Sequence, residues 1–372
     1  MELFTKPSAV DTFYEAVMSD YAYIHTRIRF MEGDLLTADQ LRGLISFREL
    51  SAAVTYLKKT PYRLYFAEGI ESALIDRIDT ALRTAISSTI QKIYKIFKGE
   101  DILLLEILLG RWDVFNIKTL IRGKLNNVVP QEVLSSTIPA GRLDEGTLKE
   151  VYKQPSVQTM VDMLFTIGFT YAAPLRRLGY LQEGDLFKGE IGLERAFFRH
   201  LLRRLKAYDK RGINRAMVED TVERLIDRYN LMAAIKVAES GIQGIQIDEA
   251  ETWFIDGGKV IRPELYKKIL RCSDLSQSIS MIDHAAWKSH WDQFYARTRI
   301  TDPLLRIERW LDYEMLTYAV RLPRKDPLNM GLVISYLWRK INEVMNLRIL
   351  LRGIHYNLPQ GEIEGLLMLP GP

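Results

Sequence analysis

Few residues in this chain have the type and spacing that catalysis needs, and each candidate fails on its neighbours. The Gly-Lys pair of "GGKV" (257–260) could open a phosphate loop, in which backbone N–H groups cradle an anion. Trp253 stands where such a loop has its first glycine, and Val260 where it has its metal-binding hydroxyl, so that chemistry is excluded here. Five histidines could ligate a metal. Two of them, His284 and His290 in "HAAWKSH", are six residues apart, which on a helix turns them about 120° from each other. There is no HExxH and no carboxylate placed to complete a site. There is no G-x-S-x-G elbow, and Cys272, the single cysteine, lies in no recognisable nucleophile pattern. No catalytic residue, cofactor or metal is expected.

What the sequence does hold is a pattern written three times. "DVFNIKTLIRGKL" begins at Asp113, "DRYNLMAAIK" at Asp227 and "EVMNLRILLRG" at Glu343. Each carries an acidic residue, then Asn three positions on (Asn116, Asn230, Asn346), then a base six positions further (Arg122, Lys236, Arg352). The asparagines are 114 and 116 residues apart. A second marker keeps nearly the same phase: Gly33 in "FMEGDLLTADQL", Gly141 in "IPAGRLDEGTL" and Gly258 in "IDGGKVIRPEL" are 108 and 117 apart. Two markers with one period point to three copies of a unit of roughly 115 residues, which divides the chain into units over 1–126, 127–243 and 244–372.

The elements that must carry these residues read as helices. "ALIDRIDTALRTAISSTIQKIYKIF" (73–97) places aliphatics at steps of three and four, and "LERAFFRHLLRRLKAY" (193–208) and "LLRIERWLDYEMLTYAV" (304–320) do the same. Pro61, Pro130, Pro139, Pro174, Pro263, Pro303 and Pro327 fall between such runs, where they can limit helices. Alternating strand patterns are scarce, so the fold class is all-α. On a helix Trp112, Asn116 and Leu120 share a face, as do Ile226, Asn230 and Ala234, so the Asn sits in a packing stripe. The structural expectation is a half-buried amide bonded to a neighbouring helix or its loop. The base then lies near the helix C-terminus, favoured by the dipole, with Gly123 and Gly353 suited to a left-handed cap.

Composition narrows the function classes. Fifty-one basic residues against 47 acidic give a net charge of +4 and a pI near 8.9, a mild excess rather than that of a dedicated nucleic-acid binder. One cysteine permits no internal disulfide and no cysteine-rich zinc cluster. The most apolar stretch, "DILLLEILLG" (101–110), is interrupted by Glu106 and too short for a bilayer, which needs about 20 residues. The densest charge, "RAFFRHLLRRLKAYDKRGINR" (195–215), has eight bases and one acid. It reads as a solvated basic face over a packed one, or as a docking face for an acidic helix or anionic headgroups, presented by Arg199, Arg203, Arg204, Lys206, Lys210 and Arg211.

"YAYIHTRIRFMEGDLLTADQL" (21–41), "YLKKTPY" (56–62) and the triplicate D-x-F/Y-N-I/L…R/K helices together resemble the C subunit family of the prokaryotic V-type (A-type) ATPase, whose counterpart in the eukaryotic vacuolar enzyme is the d subunit. The resemblance covers essentially the whole chain. The third copy departs from the pattern, with Glu343 and Met345 where the others have Asp and an aromatic, and with a longer run over 278–303. The resemblance implies a non-catalytic rotor part: three similar helical units in a pseudo-threefold funnel or socket. It would sit on the cytoplasmic mouth of the membrane rotor ring, peripheral to the bilayer, with no transmembrane segment of its own. Its implied partners are the D and F subunits of the central stalk and the proteolipid subunits of the ring, in ATP-linked proton or sodium transport. Two rivals remain at this level. One is an enzyme using a pocket between units, which turnover by the purified chain would reveal. The other is a helical scaffold for nucleic acid or another acidic partner, which binding that survives physiological salt would support.

Overall fold

A computed structural model of the chain describes residues 9–66, 74–99, 101–180, 185–208, 212–240, 246–272, 275–282, 285–296, 298, 300–324 and 328–369. Among these residues there is no strand, and the fold is all-α. The first stretch holds α1 (Ala9–Glu32), α2 (Ala38–Ile45), α3 (Leu50–Leu57), α4 (Leu74–Ile96) and α5 (Asp101–Leu125). The next holds α6 (Pro130–Ser135), α7 (Glu145–Lys153), α8 (Val157–Thr166), α9 (Asp185–Ala207) and α10 (Ile213–Ser240). The last holds α11 (Ile247–Glu251), α12 (Pro263–Leu270), α13 (Leu275–Ser280), α14 (Ala285–Tyr295), α15 (Pro303–Arg321), α16 (Met330–His355) and α17 (Gln360–Leu366).

Local chemistry sets many of these ends. Pro130, Pro263 and Pro303 occupy the first turn, where the missing N–H costs nothing. Thr37 and Gln40 form a reciprocal capping box at α2, and Asp144 and Asp302 accept N–H groups from the first turns of α7 and α15. Three of the longest helices, α5, α10 and α16, carry buried residues on all sides rather than in one stripe, which requires cover all round. Their neighbours supply it in a rotating order: α9 packs on α5, α15 on α10, and α4 on α16. Helix α10 also touches both α5 and α16. One continuous apolar core links all of them.

The long run in the last stretch becomes α13 and α14. Trp287 and Trp291 from α14 meet Trp310 of α15 edge-to-face, each with ring centroids 5.2 Å away. This anchors the insertion to the core.

Candidate functional site

The three asparagines do the same thing three times. Asn116 is fully buried; its Nδ2 donates to the Ile138 carbonyl at 2.7 Å and its Oδ1 accepts the Ile138 N–H at 2.8 Å. Asn230 holds Ile255 in the same two-way grip at 2.8 and 3.0 Å, and Asn346 holds Met368 at 2.8 and 3.0 Å. A primary amide offers one donor and one acceptor in a plane, the complement of a single peptide residue. Neither Asp nor Leu could fill both roles. The amides are wholly buried rather than half-buried, and of the two expected partners, a neighbouring helix or its loop, they hold loop backbone.

The acidic residues hold the loop that follows. Asp113 accepts the N–H groups of Arg142 (3.0 Å) and Leu143 (2.8 Å). Asp227 accepts those of Lys259 (2.9 Å), Val260 (2.9 Å) and Ile261 (2.8 Å). The amides of "GGKV" therefore serve an internal carboxylate, as a phosphate loop's amides would serve a phosphate. Gly141 and Gly258 are needed here because a Cβ at either would lie within 3.0 Å of the Asp carboxylate. Glu343, one methylene longer, turns back to the start of the chain. It accepts the N–H of Leu36 (2.5 Å), the Tyr62 hydroxyl (2.7 Å) and the Lys340 ammonium (2.8 Å), all buried.

Burial is the main influence on Asp113 and pushes its carboxyl up to about 6, against the pull of the Leu143 and Arg142 N–H groups; Asp227 is raised for the same reason. An aspartate in the unfolded chain titrates near 4, as is usual. Between about pH 6 and pH 4 the folded chain thus holds a proton that the unfolded chain lacks, so this group adds stability as pH falls through that window. Asp113→Asn should flatten the gain in urea resistance between pH 7 and pH 5. A gain the size of wild type's in that variant would assign the effect elsewhere.

The bases also act across elements. Arg122 on α5 makes a two-pronged pair with Glu190 on α9 at 2.5 and 2.6 Å. Lys236 on α10 meets Glu308 on α15 at 2.9 Å, and Arg352 on α16 meets Asp79 on α4 at 2.8 Å. Spacing alone assigns these bases to their own helix dipole, whereas the observed partners lie on the helix that covers each one. Glu190 and Glu308 are 118 residues apart, and Glu190 and Asp79 are 111 apart, an in-phase acidic marker that sequence reasoning missed.

The left-handed cap is likewise displaced. Gly123 and Gly353 lie inside α5 and α16, where a Cβ would come within 3.0 Å of Val133 and Ile363 on the short helix that follows. The positive φ falls four residues later, at Asn127 (52°) and Asn357 (56°). The next N–H, of Val128 or Leu358, returns to the Gly123 or Gly353 carbonyl at 2.9 Å and closes the helix end.

Other sequence candidates end differently. Arg199, Arg203 and Lys206 are exposed on α9, while Arg204 is half-buried and paired with Glu106 at 2.5 Å. Lys210, Arg211, His284 and Pro327 lie outside the described residues. His290 is buried with its ring edge-on to Tyr313, and Cys272 is buried with its Sγ 3.2 Å from the Gln277 amide oxygen. No group of three or more His, Cys, Asp or Glu able to hold a metal occurs among the described residues.

One concave feature lies among the motif helices, a cleft of about 440 Å³ between α5, α9 and α10. Arg122–Glu190, Lys118–Glu194 and Lys236–Glu308 rim it, over a floor that includes Phe115, Phe197, Phe198 and Tyr229. Its lining combines paired charges with apolar surface.

The model of the ATP synthase (C/AC39) subunit family matches residues 24–366. The chain belongs to that family. Among curated relatives, the A-type ATP synthase C subunit of Pyrococcus horikoshii is 27% identical over 93% of this chain and 90% of its own length. The proteins of the same name from Methanosarcina acetivorans (26%, 98% of this chain, 97% of its own length) and Halobacterium salinarum (25%, 94% and 98%) are similar throughout. A C/AC39 subunit is a structural part of a membrane-associated ATPase complex and not an enzyme on its own, which agrees with the expectation from the sequence. No described helix is long and apolar enough to cross a membrane.

Proposed function

We propose that this C/AC39 protein is the central-rotor adapter of its ATPase, a socket of three similar helical units (1–126, 127–243 and 244–372) on the cytoplasmic face. It receives the D and F subunits of the central stalk on one side and rests on the proteolipid rotor ring on the other. It passes torque between ATP turnover and proton or sodium movement. The observation that carries this reading is the rotating order of the contacts. The first Asp-Asn-base helix binds the loop and helix of the second unit, the second those of the third, and the third, through Glu343 and Arg352, those of the first.

Such an order gives a body without a free end, stiff under twisting, because each unit is buttressed by the one before it. No described helix is long and apolar enough to cross the bilayer, and we take the seat on the ring to be largely polar and screened by salt. Co-purification tests both joints: the chain should capture the D–F pair in one arm and the solubilised ring in the other. Raising salt should release the ring before it separates the stalk proteins from one another. A chain that captures neither partner, or two joints equally resistant to salt, would overturn the reading.

A further inference from the structure

The charges along the cleft are unevenly matched. Lys118, Arg122, Arg228 and Lys236 each face a carboxylate, namely Glu194, Glu190, Asp312 and Glu308. Arg111 on α5 lines the same cleft and has no carboxylate partner among the described residues. Its guanidinium lies 4.6 Å from the ring centroid of Trp112 and 5.4 Å from that of Trp338 on α16. Asp312, the acid nearest in effect, is already shared by Arg228 at 2.7 Å and Arg309 at 3.7 Å. Burial draws Arg111 down to about 10, Arg228 lowers it further and Asp312 opposes both. Two guanidiniums thus pair with Asp312, and the third, Arg111, is left with ring contacts.

Holding a cation there without a partner is costly, and an apolar residue of like volume would serve packing better. The aromatic contacts occupy the guanidinium and leave its N–H edge free, the geometry that takes a carboxylate bidentately. We propose that Arg111 is the anchor for an acidic side chain, Asp or Glu, carried at the tip of a partner helix that seats in this cleft. This rests on the reading that the protein receives the central stalk, and adds that the stalk's tip seats in this cleft. A protein carboxylate fits better than a free anion. The cleft is larger than one phosphate needs, and exposed Phe115 on its lining gives a helix tip apolar surface to cover.

The test measures binding of the purified D–F pair to the full chain by calorimetry. Arg111→Met should weaken it by about tenfold or more, and Arg111→Lys, which keeps charge and loses the fork, by less. The thermal midpoint of the isolated Arg111→Met chain should equal or exceed wild type's, which a structural arginine would not allow. Unchanged D–F affinity in Arg111→Met, with wild type binding normally, overturns this assignment and leaves the socket reading intact. No binding by wild type removes both. A rise in wild-type midpoint with inorganic phosphate that Arg111→Met abolishes would make this a small-anion site, and the carboxylate assignment would fall.

Discussion

Replacing Gly141 by Ala should destabilise the chain by about 3 kcal/mol, the upper range for overpacking a filled core. The new methyl would lie inside contact distance of the Asp113 carboxylate. That carboxylate cannot swing aside cheaply, because it is buried and bonded to the Arg142 and Leu143 N–H groups. Retreat would leave two buried donors unmet. Gly258→Ala should cost a similar amount, since Asp227 meets three consecutive N–H groups in the same space. Gly33→Ala is the informative contrast. It occupies the same place in the sequence marker, yet its Cβ would meet only the Phe30 carbonyl, at 3.3 Å, and the cost should be about 1 kcal/mol or less. Urea unfolding of the three variants measures this. Equal losses at all three positions would mean that glycine is required for loop conformation and not for the approach of the carboxylate. In Gly141→Ala combined with Asp113→Ala, the loss should fall short of the sum of the single changes, as expected for groups in contact.

Asn116→Ala should cost about 3 kcal/mol through a different route. It removes both members of a buried two-way bond and strands the N–H and carbonyl of Ile138. Asn116→Asp should cost at least as much, because it keeps the acceptor but points a second oxygen at the Ile138 carbonyl. The matching change in the last copy, Asn346→Ala, should also free the segment ending at Met368, which is held there by Asn346 and by Asn342 at 2.7 Å. Limited proteolysis should then cut within 359–369 well before wild type is cut. Resistance equal to wild type's, with a loss under about 1 kcal/mol in Asn116→Ala, would show that water or neighbouring groups replace the amide.

Several features were open to sequence reasoning because they depend on side-chain type at a fixed spacing. The stripes at 73–97 and 193–208 required helices, and the period of the asparagines set the repeat. The partners of those asparagines were harder to read: Ile138 and Ile255 open the second marker itself, but they and Met368 are gripped through their backbone, so their side chains give no sign of the bond. Glu190, Glu308 and Asp79 keep phase with the bases they meet, but one is a shorter acid and each lies on a helix far in sequence from its base. Gly123 and Gly353 misled for a physical reason. A glycine near a helix end looks like a cap, whereas these are small because Val133 and Ile363 press on them, and Asn127 and Asn357 take the left-handed turn. Arg111 gave no signal at all, because its distinction is an absent partner.

The bond between Glu343 and the Leu36 N–H joins residues 307 apart. During synthesis, all the residues between these two must leave the ribosome before that joint can form. Contacts of such span are slow to find, since loop closure costs entropy before it returns any enthalpy. The residues around Leu36 are therefore made long before they reach their final place. Until then α4 lacks the α16 surface that covers it, and that exposed apolar face is the stretch of a nascent chain that a chaperone would hold.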